Sequence, residues 1–328
     1  MDVSRLYKNC RLCPRDCGVD RLAGGGIAAD GFCGEGAQLR LAFAGLHRGE
    51  EPPLTGQGGS GTVFVSGCNL GCAFCQNWQI STGRAAGVAA GKRLGRAVST
   101  DEFSAICLEL QGRGAENINI VTGSHAVPAI VQCLSAARTA GLRLPVLCNS
   151  SGYENPETLE LLGEHIDTWL PDLKTLDSGL AARFFNAPDY PQVAARAILW
   201  MIRHRPRRVI IRHLILPGHL ESTRAVLRWF ADNAQGKTEG FVQLSLMSQY
   251  TPIAGNGVRP DSGHSPGRFV DKREYETVLG WLDEFGIEDG FCQELLTGKA
   301  AGSDWLPDFN RSNPFSSDLS VAVWHFLH

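Results

Sequence analysis

The sequence predicts an α/β fold, a partial or full (β/α) barrel with a cysteine-rich segment on its N-terminal side. From residue 61 onward, strand-like and helix-like stretches alternate over six or seven units, which implies a parallel sheet with right-handed crossovers. A loop of closely spaced cysteines follows the first strand, at the strand end where barrels place their chemistry. The number of units fits a barrel, and a doubly wound sheet is the alternative.

Local signals place the individual elements. Strands are predicted at 62–67, 117–122, 144–149, 167–173, 208–216, 241–248 and 289–294. Helices are predicted at 100–112, 127–140, 156–164, 178–186, 191–204, 221–235 and 272–285. Ser99 precedes an acidic first turn and is typical of a helix cap. Asn155 precedes Pro156 at the first helical position, and Gly141 ends the second helix.

Composition divides the 328 residues into three parts. Residues 1–60 are rich in glycine, proline and cysteine and poor in apolar residues, so we expect a small segment that a metal holds together. Residues 61–295 are predicted to form the barrel. Residues 296–328 are irregular, and their aromatic side chains predict a tail that packs on the barrel.

Charge and hydropathy exclude two classes of partner. The net charge is −3 with both signs interspersed, which argues against nucleic-acid binding. No apolar run reaches the roughly 18 residues of a membrane span. The run Met1–Arg5 lacks an apolar secretory stretch, so we expect a cytoplasmic protein in which cysteines stay reduced.

Cys68, Cys72 and Cys75 share one short loop with the spacing C-x3-C-x2-C. Thiolates ligate the irons of a 4Fe-4S cluster, which normally takes four cysteines. With three local ligands one iron keeps an open position, and an open position distinguishes a catalytic metal from a structural one. Gly67 and Gly71 allow the loop to curl so that its thiolates converge. A structural zinc loop is the alternative.

A second cysteine set, Cys10, Cys13, Cys17 and Cys33, lies in the N-terminal segment. Four thiolates make a closed site without an open position. Zinc and an auxiliary 4Fe-4S cluster both suit these soft ligands. An auxiliary cluster would relay an electron or bind substrate, whereas zinc would be a structural clip.

The first cysteine loop resembles the signature of the radical S-adenosylmethionine (SAM) enzymes, in which an aromatic residue before the last cysteine, here Phe74-Cys75, is typical. Further motifs resemble an uncharacterised branch related to pyruvate formate-lyase activating enzyme: Cys13-Pro14-Arg15, Gly31-Phe32-Cys33-Gly34, Glu50-Glu51-Pro52-Pro53, Cys75-Gln76-Asn77-Trp78, Thr122-Gly123-Ser124-His125, Tyr190-Pro191, Ser248-Gln249-Tyr250-Thr251-Pro252 and Pro307-Asp308-Phe309. The resemblance implies that SAM chelates the open iron. One electron then cleaves SAM to methionine and a 5′-deoxyadenosyl radical that abstracts hydrogen from substrate.

The carboxyl ends of the strands supply the candidate SAM ligands, since a barrel presents its polar groups there. Many radical SAM enzymes carry Gly-Gly-Glu after the second strand, where the glutamate takes the amino group of SAM. This chain lacks that glutamate, so the Ser124 hydroxyl or nearby backbone carbonyls would have to replace it. Asparagine and serine after the third strand suit ribose hydroxyls. The candidates from these ends and from the cysteine loop are Phe74, Asn77, Thr122, Gly123, Ser124, His125, Asn149 and Ser151.

Asp172 and Lys174 lie two residues apart on the fourth strand and therefore point to one face. Charges inside a barrel are costly unless they pair or bind a charged ligand. The spacing resembles the Asp-x-Lys of pyruvate formate-lyase activating enzyme, which implies a role toward the SAM carboxylate and a monovalent cation. A structural ion pair is the alternative. On the fifth strand, Arg212 and His213 point to opposite faces, and we expect His213 to face the lumen as a SAM contact. A hydrogen-bonded core histidine is the alternative.

The predicted function is hydrogen abstraction by a radical SAM enzyme, and its predicted task is to activate a glycyl-radical protein. Radical modification of a peptide side chain or small molecule is the alternative. Gln249 and Tyr250, after the sixth strand, are expected as substrate contacts or as rim packing. The expected electron donor is a flavodoxin or ferredoxin. A scaffold that binds metal without cleaving SAM is the alternative from another class, and it would need a fourth cluster ligand among Cys107, Cys133 and Cys148.

Overall fold

A computed structural model describes residues 3–23, 31–81, 94–204, 208–236, 241–253, 266–295 and 306–327. One sheet of ten strands organises these residues. Its strands are β1 (Arg40–His47), β2 (Ser60–Val65), β3 (Arg96–Ala97), β4 (Ile118–Val121), β5 (Val146–Ser150), β6 (Thr168–Pro171), β7 (Arg208–Leu214), β8 (Val242–Met247), β9 (Gly290–Cys292) and β10 (Ser320–His325). Its helices are α1 (Pro52–Thr55), α2 (Trp78–Ser81), α3 (Thr100–Gly112), α4 (Val127–Thr139), α5 (Pro156–Gly163), α6 (Ser178–Phe185), α7 (Tyr190–Arg203), α8 (Leu220–Asn233) and α9 (Lys272–Glu284), and a short 3-10 turn covers Val3–Tyr7.

The sheet is an open barrel of the predicted α/β class. Strands β2, β4, β5, β6, β7, β8 and β9 follow one another in chain order, and each neighbouring pair is parallel. A doubly wound sheet would reverse its strand order at a switch point, so that alternative is wrong. In the described part of the chain β9 and β10 are the two ends of the strand order, and the barrel is therefore partial.

All seven predicted strands and all seven predicted helices are present, with ends shifted by a few residues at most. The strands that the sequence did not predict are β1, β10 and the short β3. Strand β1 pairs antiparallel with both β2 and β10, so it extends the parallel barrel at one edge. It comes from the segment predicted as residues 1–60, and β10 comes from the predicted tail, of which 296–305 lie outside the described residues.

Two helix starts show how far the capping signals hold. The Ser99 hydroxyl accepts a hydrogen bond from the amide of Glu102, as the sequence predicts. Asn155 makes no side-chain bond to its own helix, although Pro156 occupies the first turn as expected. Its amide instead donates to the carbonyl of Arg11 at 3.0 Å, because the N-terminal segment packs against the start of α5.

Apolar side chains close the amino-terminal end of the barrel interior. Leu54 of α1 packs there against Leu147, Leu170 and Ile210 from three successive strands. The polar interior therefore begins above this layer and opens toward the carboxyl ends of the strands. Among the helices of the described ranges, none combines the length and the apolar character that a membrane crossing requires.

Candidate active site and metal centres

A cavity of about 280 Å³ opens at the carboxyl ends of the parallel strands. All three cysteines of the loop at 68–75 line it. Most of the predicted SAM and substrate residues line it as well: Phe74, Asn77, Thr122, Asn149, Ser151, Asp172, Lys174 and Gln249. Residues from β4, β5, β6 and the stretch after β8 thus meet the cysteine loop in one space, as the strand-end argument predicts.

Neighbouring elements fix the path of the cysteine loop. The amide of Ala73 donates to the carbonyl of Phe184 at 2.8 Å, and the amide of Gly67 donates to the carbonyl of Ile80 at 2.8 Å. Gly67 has a φ of +84°. A Cβ atom at this position would overlap Glu35 and lie 2.9 Å from the His125 ring. Both conditions favour glycine, because other residues rarely adopt this φ and no side chain has room.

The cysteine sulfurs have the environment of metal thiolates. The amide of Leu70 donates to the Sγ of Cys68 at 3.3 Å, and the Ser81 hydroxyl lies 3.3 Å from the Sγ of Cys75. Burial raises the pKa of the Cys72 thiol to about 12 and also raises the pKa of its two partners in the loop. Thiols with such pKa values stay protonated until a metal displaces the proton. Three buried soft ligands with hydrogen bonds to sulfur suit an iron–sulfur cluster.

The cubane arrangement differs from a site for one ion, because each thiolate binds a different iron. Among the residues that the structure describes, no three or more His, Cys, Asp or Glu side chains are gathered around a single ion position.

Asp172 and Lys174 form an ion pair on the cavity wall, on the turn that follows β6. Burial alone would lower the pKa of Lys174, but Asp172 beside it and Cys72 raise it above the usual value. The ammonium therefore stays charged close to the cysteine loop. Tyr190 supports this turn, because its hydroxyl donates to the backbone carbonyl of Asp172 at 2.8 Å.

Comparison with known proteins identifies the family. The model of the Radical SAM superfamily matches residues 62–230, more than half of the chain. The chain belongs to the radical SAM superfamily. Superfamily membership makes it an enzyme with a 4Fe-4S cluster and SAM as cofactors. The uncharacterized protein MJ0674 of Methanocaldococcus jannaschii is 28% identical over 293 residues, which cover 87% of this chain and 78% of that protein.

Solved structures are similar in fold. A radical SAM methyltransferase from Sphaerobacter thermophilus aligns with a TM-score of 0.50 and 17% identity, over 71% of this chain and 66% of that one. A domain of pyruvate-formate lyase-activating enzyme from Bacteroides vulgatus aligns with a TM-score of 0.38 and 12% identity, over 51% of this chain and 91% of the domain. The similarity to the methyltransferase shows a shared fold.

In this radical SAM protein the residues after β4 divide between the cavity and the packing behind it. Thr122 lines the cavity and has a φ of +63°, an uncommon conformation for this residue type. Gly123 instead faces Ile130 of α4. The Ser124 hydroxyl donates to buried Glu154 at 2.6 Å, and the Nε2 of His125 lies 2.8 Å from the carbonyl of Ser66.

None of Gly123, Ser124 and His125 lines the cavity, so the prediction that they contact SAM is not supported. Ser124 instead bonds to Glu154, and the His125 ring contacts the backbone just before the cysteine loop.

The inward residue of β7 is Arg212, so the choice of His213 was wrong. His213 is buried on the outer face of the sheet, where its ring contacts the carbonyl of Leu173 at 2.7 Å and the hydroxyl of Thr223 on α8 at 3.0 Å. Burial lowers the pKa of His213 to about 4. The alternation of side chains along a strand predicts that Arg212 and His213 face opposite ways, but it does not determine which face is inside.

The two residues predicted as substrate contacts, Gln249 and Tyr250, differ in their positions. Gln249 lines the cavity. Tyr250 packs beneath it, with its ring 5.4 Å from Phe74 and its hydroxyl donating to the carbonyl of Pro266 at 2.8 Å. The rim-packing alternative therefore describes Tyr250.

Three glutamates without a sequence-predicted role, Glu50, Glu51 and Glu154, lie at or next to the site. Glu50 lines the cavity, and Arg212 bonds both Glu50 and Glu51. The sequence signal for two of them is the Glu-Glu pair directly before Pro52-Pro53, since adjacent carboxylates that become buried need a cation. Glu154 is fully buried, and burial raises its pKa to about 7.

Arg15 attaches the N-terminal cysteine segment to the cysteine loop at 68–75. This guanidinium donates to the carbonyls of Asn69 at 2.8 Å, Asn186 at 2.5 Å and Phe185 at 3.2 Å. It also lies 3.7 Å from the ring centroid of Phe32, the residue before Cys33. One side chain therefore contacts both the second cysteine set and the loop that carries the first.

The four N-terminal cysteines have surroundings like those of the catalytic loop. Arg21 donates to the Sγ of Cys10 at 3.6 Å, and the amide of Phe32 donates to the Sγ of Cys17 at 3.4 Å. Burial raises the pKa of Cys13 to about 12 and raises the pKa of Cys33. The thiols of Cys13 and Cys33 therefore stay protonated until a metal displaces the proton.

Proposed function

We propose that this radical SAM protein cleaves SAM reductively and abstracts hydrogen from a substrate held in the barrel cavity. The observation that carries the proposal is the meeting of three loop cysteines with the polar ends of β4, β5 and β6 in one cavity. When bound, the cluster supplies the electron that breaks a carbon–sulfur bond of SAM. Cys68, Cys72 and Cys75 would hold that cluster and leave one iron open.

The remaining roles concern SAM itself. Lys174 offers a charged donor to the SAM carboxylate, and Asp172 keeps it charged and supplies an oxygen ligand for a monovalent cation. Asn149 and Ser151 offer hydrogen bonds to the ribose hydroxyls. Phe74 packs against Phe184, Phe185 and Tyr250 and so excludes water from one side of the cysteine loop.

The task within this chemistry is proposed to be the activation of a glycyl-radical protein. Radical modification of a peptide side chain or small molecule is the second candidate, and one observation favours it. Pro307, Phe315 and Leu319 of the tail line the cavity, so the wall beside β1 is closed by side chains. A cavity of about 280 Å³ admits a side chain or a small molecule more easily than a folded loop. The proposed electron donor is a flavodoxin or ferredoxin, and the proposed location is the cytoplasm.

The N-terminal cysteines are proposed to bind a second metal, either an auxiliary 4Fe-4S cluster or zinc. Iron and zinc counts on the wild type and on Cys13→Ala decide between the two. Loss of about four irons per chain would identify a cluster, and loss of one zinc would identify a clip. Unchanged metal content would contradict a site at these cysteines.

An anaerobic assay with dithionite and SAM tests the main proposal. We expect 5′-deoxyadenosine and methionine from the wild type and none from Cys72→Ala. Cys107→Ala, a change at a fully buried core cysteine, is the matched control and should keep both cluster and cleavage. If an intact cluster produces no 5′-deoxyadenosine, the chain is a metal-binding scaffold. The candidate fourth ligands for that scaffold, Cys107, Cys133 and Cys148, lie in the hydrophobic core and do not line the cavity.

A further inference from the structure

A group of charged side chains joins the segment that follows β1 to the inward residue of β7. The guanidinium of Arg212 donates from Nη2 to the Oε2 of Glu50 at 2.5 Å and from Nε to the Oε1 of Glu51 at 2.8 Å. The Nδ2 of Asn119 donates to the Oε1 of Glu50 at 3.1 Å. None of these residues belongs to the cysteine loop or to the proposed SAM ligands.

The two carboxylates of this group have different access to the cavity. Glu51 does not line it, and its oxygens bond to Arg212 and to the hydroxyl of Ser245. Glu50 lines it and has one bond to each oxygen. A carboxylate has about four acceptor positions, so Glu50 can accept further hydrogen bonds from a molecule in the cavity.

Negative charge is in excess within this group of side chains. Among the lining residues that the structure describes, the charged side chains are Glu50, Asp172, Lys174 and Arg212. Lys174 pairs with Asp172, whereas Arg212 pairs with both Glu50 and Glu51, so the group of Arg212 and its two glutamates carries one net negative charge. Burial lowers the pKa of His47, so this lining residue is neutral near pH 7. The cluster with its thiolates is anionic and SAM is cationic, so their charges offset one another.

A hydrogen-bond acceptor without a donor also lies beside Glu50. The Oδ1 of buried Asn119 receives no hydrogen bond from any residue that the structure describes. An unpaired buried acceptor and an uncompensated carboxylate both cost free energy unless a donor or a cation reaches them. Apolar side chains, Phe64, Leu214 and Met247, line the space next to this polar end. An alkyl chain fits against such a wall.

We propose that Glu50 recognises the substrate by binding a cationic nitrogen group, ammonium or guanidinium, at the end of an alkyl chain. The proposal rests on the function proposed above, because it names the substrate class of the same cavity. The cation comes from a small-molecule amine or from the side chain of a lysine or arginine in a peptide. Both sources present the same chemistry to Glu50.

Binding of simple probes tests the proposal on the full chain with its cluster and SAM, under anaerobic conditions. Calorimetric titration compares butylamine with butanol and butyrate, which match its length but lack the positive charge. We expect butylamine to bind about tenfold more tightly than butanol, equivalent to about 1.4 kcal/mol. Glu50→Gln should reduce the difference to about twofold, since the amide keeps the shape and loses the charge. Glu160→Gln, which removes an exposed carboxylate on α5, is the matched control and should leave the preference unchanged.

Further ligands in the same titration distinguish the possible outcomes. N-acetyl-lysine methylamide binding better than butylamine would identify a peptide source, and the reverse would identify a free amine. The preference of the wild type is informative even if Glu50→Gln fails to fold. Equal binding of butylamine and butanol would overturn the inference, and so would an unchanged preference in folded Glu50→Gln. Absence of 5′-deoxyadenosine together with a clear preference for butylamine would instead overturn the proposed radical chemistry and keep the cation site.

Discussion

The two cysteine sets have similar ligands but different surroundings. The loop at 68–75 supplies three thiols and faces a cavity of about 280 Å³. The N-terminal set supplies four thiols, and none of them lines that cavity. A metal with all its positions filled by protein holds a structure or carries electrons, whereas a metal beside empty space can meet a ligand. The difference in ligand count and in the adjacent space therefore supports the proposal that the first set holds the reacting centre and the second set a supporting metal.

Single ligand removals give the largest expected contrast between the sets. Cys68→Ala should abolish the catalytic cluster and lower SAM cleavage by more than about 100-fold, since even outer-shell changes at metal sites cost up to that much. Cys10→Ala should leave the catalytic cluster in place. Electron paramagnetic resonance of the reduced protein, with and without SAM, measures this, because only the open-iron cluster changes its spectrum with SAM. A SAM-dependent spectrum that survives in Cys68→Ala would contradict the assignment.

The buried carboxyl of Glu154 should make the unfolding free energy change with pH by about 3 kcal/mol. Glu154 has a folded pKa of about 7 against the ordinary 4.5, because burial disfavours its charge. The native state therefore holds a proton that the unfolded state releases, and its stabilising contribution is full below pH 4.5 and is lost as pH rises to about 7.

Glu154→Gln should be less sensitive to pH between these limits in urea unfolding of the apo-protein. Glu160→Gln controls for loss of one carboxylate at the surface. An identical pH slope in wild type and Glu154→Gln would rule out a titrating Glu154.

A matched glycine pair isolates the crowding at the catalytic loop. Gly67 and Gly114 have nearly the same φ, +84° and +85°. A Cβ would overlap Glu35 at the first position and meets nothing within 4 Å at the second, among the described residues. Both alanine variants carry similar backbone strain. Gly67→Ala should therefore lose about 2 kcal/mol more unfolding free energy than Gly114→Ala, because only its Cβ overlaps Glu35. It should also bind less iron. Equal losses would show that crowding is unimportant.

The smallest expected effect concerns the link between the sets. Arg15→Ala removes three hydrogen bonds to backbone carbonyls and should cost about 1–2 kcal/mol, because the guanidinium is only partly buried. It should also shift the reduction potential of the catalytic cluster, because Asn69 lies inside the cysteine loop. Arg11→Ala, at an exposed ion pair with Asp16, should change either quantity little. A potential that does not move in Arg15→Ala would limit the role of this residue to packing.

Much of the fold can be predicted from the sequence because the barrel repeats one local pattern of strand and helix. Apolar runs with helix caps between them located seven strands and seven helices. The missed strands β1 and β10 pair antiparallel across about 280 residues of sequence, and no local signal indicates such a partner.

The same limit explains the errors at the site. Spacing placed Cys68, Asp172 and Lys174 in the cavity, because short spacings fix which side chains share a face. It failed for Arg212 and His213, where the register between strands selects the inward face. It also failed for Ser124, whose partner Glu154 belongs to the next strand unit.

The contacts of Arg15 have a consequence for the order of events during synthesis. The acceptors of this side chain lie at residues 69, 185 and 186, so the N-terminal segment leaves the ribosome long before its docking surface exists. Domains generally fold as units, N-terminal first, during synthesis. The N-terminal cysteine segment therefore cannot dock through Arg15 until α6 has been made. Delivery of metal to the catalytic loop in its final shape consequently follows translation of more than half the chain.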